Sequence, residues 1–171
     1  MPRSKAIPDP AIYASIRGLL ASGGDKSVSF ASVAKATGLA APTLVQRFGS
    51  RDGMVQAALL AAWDALDAAT AAAIDATADK GPQGLLKALL AEPRAEAEGA
   101  VLAMNLRDGD LRLRAAGWRA TVESALALRL GSGVKARETA ALLFAAWQGQ
   151  ALWAAAGGNG FRLKDAVKRL T

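Results

Sequence analysis

Thr43, Gln46 and Arg47 stand at spacings of three and one, with Arg51 four residues further on. On a short helix they would offer hydroxyl, amide and guanidinium groups to a common side. Such groups hydrogen-bond to planar polar edges and to phosphates. A guanidinium pairs with guanine or phosphate, an amide with adenine, and a threonine methyl packs on thymine. Reaction chemistry has far less to draw on. The chain contains no histidine and no cysteine, which removes the commonest general base, the thiolate nucleophile and the usual soft metal ligands. No glycine-rich phosphate loop and no carboxylate pair on an apolar helix face is present, and Glu92, Glu96 and Glu98 around Pro93 read as a solvated capping region. The expectation is a binding protein that is not an enzyme, with no metal and no cofactor.

The surrounding residues predict how these groups are held. Ser29 suits a helix N-cap, and Phe30, Val33 and Ala34 then share one face of a short helix that Gly38 ends. Leu39 can drop between helices, and Pro42 fits the first turn of a second helix about two turns long. On that helix Leu44 and Phe48 point inward together. Ser50 restarts a third helix as its cap, with Asp52 near the positive end of the dipole. Two helices joined by a glycine turn, the second with a small polar outer face, suit the major groove of double-stranded DNA.

The residues themselves carry a resemblance across residues 12–60. Ser29, Val33-Ala34, Thr37-Gly38-Leu39-Ala40, Thr43-Leu44-Val45, Phe48 and Ser50-Arg51-Asp52 keep, without a gap, an order and spacing similar to the N-terminal domain of the TetR/AcrR family of bacterial transcriptional regulators. The resemblance implies an all-α fold: a three-helix helix-turn-helix domain in residues 1–53, then a helical bundle in residues 54–171 that dimerises and binds a ligand. It also implies DNA contacts from Ser29, Ala41, Pro42, Thr43, Gln46, Arg47 and Arg51. Two polar groups usual in the family are missing, since Val45 stands in place of a tyrosine and Ala40 in place of a capping serine. Arg47 replaces a frequent histidine, so charge is retained while hydrogen-bonding detail changes.

Charge distribution fits that reading. Residues 1–53 hold seven Lys/Arg against three acids, whereas the rest of the chain holds fourteen against twelve, within a net charge of +6. A basic segment coinciding with the reader motif is the electrostatic footprint of phosphate binding. The N-terminus shows no secretory signal, and the longest purely apolar run, residues 140–147, is too short to cross a bilayer. The expectation is a cytoplasmic protein without a membrane partner.

Periodicity predicts helices over residues 10–22, 50–79, 83–91, 94–106, 110–130, 136–156 and 163–170, besides the two short ones. Helix 136–156 is apolar on two sides, so one side can pack on its own domain and the other on a second copy. Leu142, Ala145, Gly149, Trp153 and Ala156 form the predicted homodimer face. Trp63, Met104, Trp147 and Gln148, with Asn105 and Arg107 as polar contacts, are the candidates for a pocket holding an apolar or aromatic small-molecule effector. A helical-bundle small-molecule carrier, or a protein-binding adaptor that has lost DNA binding, is the alternative reading of the same pattern.

Overall fold

The structure, a computed structural model, describes residues 7–90, 106, 108–154, 156–157 and 162–170. All regular structure among them is helical. Helix α1 spans Asp9–Gly23 and buries Ile12, Ile16 and Leu20 at spacings of four. A 3₁₀ turn, Asp25–Ser27, follows. Helix α2, Phe30–Thr37, opens on a reciprocal cap: the Ser32 amide donates to Ser29 Oγ at 3.0 Å and the Ser29 amide donates to Ser32 Oγ at 2.9 Å. Gly38 then takes a left-handed φ of 76° and donates to the Ala34 carbonyl at 2.8 Å, which turns the chain into α3, Ala41–Phe48. Ala40 gives α3 no side-chain cap, and Pro42 sits in its first turn.

Helix α4, Arg51–Ala76, is the long connecting helix, and Ser50 Oγ accepts the Gly53 amide at 3.0 Å to cap it. It ends before residue 79, because Arg129 reaches across to the carbonyls of Ile74 and Thr77 at 3.0 and 3.1 Å. That guanidinium satisfies the terminal carbonyls and favours a stop there. Helix α5 spans Pro82–Leu90. The helix predicted over 94–106 lies outside the described residues except for Leu106, which is in a turn. Helix α6, Gly109–Leu130, starts one residue earlier than expected because Asp108 accepts the amides of Asp110 and Leu111. Helix α7 spans Gly133–Ala154, so only Gly131 and Ser132 join it to α6. Helix α8 spans Leu163–Leu170, as the periodicity predicts.

Two buried clusters organise these helices. The first gathers Ile12, Ile16, Val33 and Leu44 from the three short helices, then Met54, Leu59 and Trp63 from the first half of α4 and Leu111 from α6. The second gathers Leu85 and Leu86 of α5, Val122 and Leu126 of α6, and Leu143, Phe144 and Trp147 of α7. Trp118 packs on both. Its ring centroid lies 5.9 Å from Trp63, 5.6 Å from Phe144 and 6.1 Å from Trp147, separations at which aromatic rings attract beyond their area burial. Length and composition alone would let α4 cross a membrane. Its buried side supplies the first core, and its Asp64 and Asp67 pair with Arg114 of α6.

Candidate nucleic-acid interface and ligand region

Helix α3 has one buried anchor and a free outer face. Leu44 is fully buried, Phe48 packs beside the first core with its ring 6.2 Å from Tyr13, and Ala41 is half-covered. Pro42, Thr43, Val45 and Gln46 are exposed, Val45 at 44%. An exposed valine beside an exposed threonine and glutamine gives this face both apolar and hydrogen-bonding character. That combination matches what a groove of bases presents, namely methyl groups and polar edges. Ser29 is exposed but engaged in capping α2.

The two arginines behave differently from the sequence expectation of free groove contacts. Arg47 forms an ion pair with Asp9 at the start of α1 and donates to the Ile7 carbonyl at 3.4 Å. Arg51 is bound more extensively. Its Nη2 donates to Asp25 Oδ1 at 2.6 Å and to the Asp25 carbonyl at 2.5 Å, its Nη1 to Asp52 Oδ1 at 2.8 Å, and its Nε to the Val28 carbonyl at 3.2 Å. Its hydrogen bonds to the Asp25 and Asp52 carboxylates raise its pKa above the ordinary arginine value. Arg51 thus staples the 3₁₀ turn to the start of α4. The sequence shows the cation and not its partners, because Asp25 lies 26 residues away along the chain. Lys26 and Lys35 are exposed cations on the same three-helix unit. Tyr13, beside Asp9 and Arg47, has its phenol pushed above the usual value by burial and by the Asp9 carboxylate, with Arg47 opposing.

The predicted pocket residues fall in different places. Trp63 and Trp147 are buried in the two cores and each packs on Trp118, and among the described residues neither indole N–H has a partner. Gln148 is half-buried, whereas Met104, Asn105 and Arg107 lie outside the described residues. A cleft of about 480 Å³ opens instead between α4 and α6, with Asp67, Ile74 and Asp75 on one wall and Leu113, Arg114 and Trp118 on the other. Arg114 Nη2 donates to Asp64 at 2.5 Å and to Asp67 at 2.7 Å, while the Trp118 indole donates to Thr70 Oγ1 at 2.8 Å. The sequence holds one hint of it: Asp64, Asp67 and Asp75 share one helix, and no lysine or arginine stands between Arg51 and Lys80.

On α7, Leu142 and Trp153 are 56% and 63% exposed, Ala145 is also exposed and Gly149 is half-buried, whereas Ala156, predicted on the same helix, lies exposed in the turn beyond its end at Ala154. Leu128 of α6 is 81% exposed.

No family model and no curated protein matches the chain. Solved structures do. A transcriptional regulator from Rhodococcus sp. Rha1 is 22% identical, with a TM-score of 0.73 over 96% of this chain and 92% of the other. A regulator from Rhodococcus sp. assigned to the TetR family is 18% identical, with a TM-score of 0.65 over 95% and 93%. The multidrug binding protein EbrR, solved with malachite green, is 22% identical, with a TM-score of 0.71 over 96% of both chains. Such likeness along nearly the whole length of both partners establishes architecture, and the chain has the fold of TetR-family transcriptional regulators.

Proposed function

We propose that this protein is a ligand-responsive transcriptional regulator, a repressor that binds double-stranded DNA as a homodimer in the cytoplasm. The observation that carries the proposal is α3: a two-turn helix anchored by Leu44, with Pro42, Thr43, Val45 and Gln46 turned outward. In this reading residues 1–53 form the DNA-binding unit and residues 54–171 the bundle, with α4 serving both. Thr43 and Gln46 read base edges, Val45 meets a thymine methyl, and Ser29, Ala41, Pro42 and the exposed lysines approach the phosphates. Arg47 and Arg51 contribute field and hold the unit together.

A dimer fits the exposed apolar face of α7. Leu142, Ala145, Gly149, Trp153 and Ala156 would pack on the same face of a second copy, giving a self-complementary interface. Two copies of α3 about 34–36 Å apart, or at a longer multiple, match a pseudo-palindromic site. A small molecule that favours the geometry unsuited to DNA would then release the site, and the structural neighbour solved with malachite green supports a small-molecule role for this fold.

One observation favours the reading in which the same fold has lost DNA binding: Arg47 and Arg51 are both matched by carboxylates within the chain. Selection of bound duplexes from a random library separates the two. The regulator reading expects enrichment of one two-fold-symmetric sequence at moderate salt. A library with no enriched sequence overturns it.

A further inference from the structure

The cleft between α4 and α6 has a charge that its surroundings lack. The chain carries a net +6, yet the walls present Asp67 and Asp75 against the single cation Arg114. Arg114 is already matched, since Nη2 serves both Asp64 and Asp67, and its Nε is covered without a partner among the described residues. Asp75 has no cationic partner among the described residues. It lies in the last turn of α4, which contains no basic residue of its own. Backbone carbonyls leave that end of a helix negative, so an acid there is unfavourable unless a cation is near. Arg129 directs Nη1 to the Ala125 carbonyl and Nη2 to those of Ile74 and Thr77, not to Asp75.

The rest of the wall is largely apolar, and its two threonines are engaged, Thr70 by the Trp118 indole and Thr121 by the Gly117 carbonyl. Ile74 and Leu113 line it, and Trp118 contributes an indole whose N–H is already bonded to Thr70. That indole has no donor to spare for a ligand, and a cation placed over an indole face is attracted by the ring's quadrupole. A volume of about 480 Å³ is enough for a compact organic molecule.

We propose that the α4–α6 cleft binds an organic cation, with its charged group toward Asp75 and Asp67 and its apolar body against Trp118 and Ile74. Its regulatory consequence, though not its chemistry, rests on the regulator reading above. Both walls carry the polar ties that hold α4 to α6: Gln56 to Asp108, Arg114 to Asp64 and Asp67, and Trp118 to Thr70. A guest between those walls changes their separation, and α4 carries half of the core that seats α3.

The test uses the full chain with phenyltrimethylammonium and its uncharged isostere tert-butylbenzene, followed by calorimetry. The cation should bind saturably, at least tenfold more tightly than the isostere. Asp75→Asn should weaken it roughly fivefold, the scale of one partly solvated charge pair. Ala71→Trp, which fills the cleft from an exposed position on α4, should abolish it while circular dichroism stays unchanged. Equal binding of the isostere, no binding of the cation at millimolar concentration, or indifference to both substitutions overturns the inference. A duplex obtained by selection is then titrated separately. DNA binding without cation binding overturns this inference alone, and cation binding without DNA binding supports it while overturning the regulator reading.

Discussion

Arg51 shows how one side chain can look like a DNA contact in sequence and serve the fold in three dimensions. Its bonds to Asp25, Val28 and Asp52 join the 3₁₀ turn to α4. Because the pairs are partly solvated, Arg51→Ala should cost about 1 kcal/mol, chiefly through the lost bonds to backbone carbonyls. Gln46→Ala, at an exposed position, should cost less than about 0.5 kcal/mol. Urea unfolding of both variants checks the ordering, and equal stabilities would show that Arg51 is not a staple. Tyr13 is the chain's one tyrosine, so its absorbance in alkali reports a single site. Folded, its phenol holds the proton more tightly than the unfolded chain does, at about 10. That preference contributes stability below about pH 10 and is lost as pH rises through the folded value. Removing the neighbouring carboxylate by Asp9→Asn should lower the folded midpoint. A midpoint that does not move would place Asp9 away from the phenol.

At the scale of elements, the short helices were legible because their signals are local. Ser29, Gly38, Pro42 and Ser50 each act within four residues, as caps and turns do. Gly53 was the exception. A Cβ there would lie 2.9 Å from the Phe48 carbonyl oxygen, so the start of α4 sits too close to the end of α3 for any side chain. Gly53→Ala should therefore force the α3–α4 corner apart and lower the thermal midpoint, more than Ala57→Ser on the same helix. A scan in which the two midpoints coincide would contradict that tight approach. Where long-range packing decided, the sequence was silent. The end of α4 depends on Arg129 from α6, and the α4–α6 cleft depends on how two helices far apart in sequence cross. Trp63 and Trp147 illustrate the same limit: bulky aromatics among alanines suit a core or a pocket equally from sequence, and packing on Trp118 makes them core walls.

At the largest scale the described residues form two cores, with α4 running from one to the other and Trp118 touching both. A charge at the proposed dimer face tests the assembly. A Cβ added at Gly149 meets nothing within 4 Å, so Gly149→Glu should fold normally and sediment as a monomer, whereas an undisturbed dimer would remove α7 from the interface. In the regulator proposal the outer face of α3 reads DNA. Its most direct measurement is the affinity of the wild type and the Thr43→Ala, Gln46→Ala double variant for a selected duplex across a series of salt concentrations. Wild-type binding should weaken steeply with salt, by a log–log slope of about −0.9 for each phosphate contacted, and the variant should bind the selected duplex no better than a scrambled one while retaining wild-type stability. A double variant that still prefers the selected duplex as strongly as the wild type does would contradict the proposal.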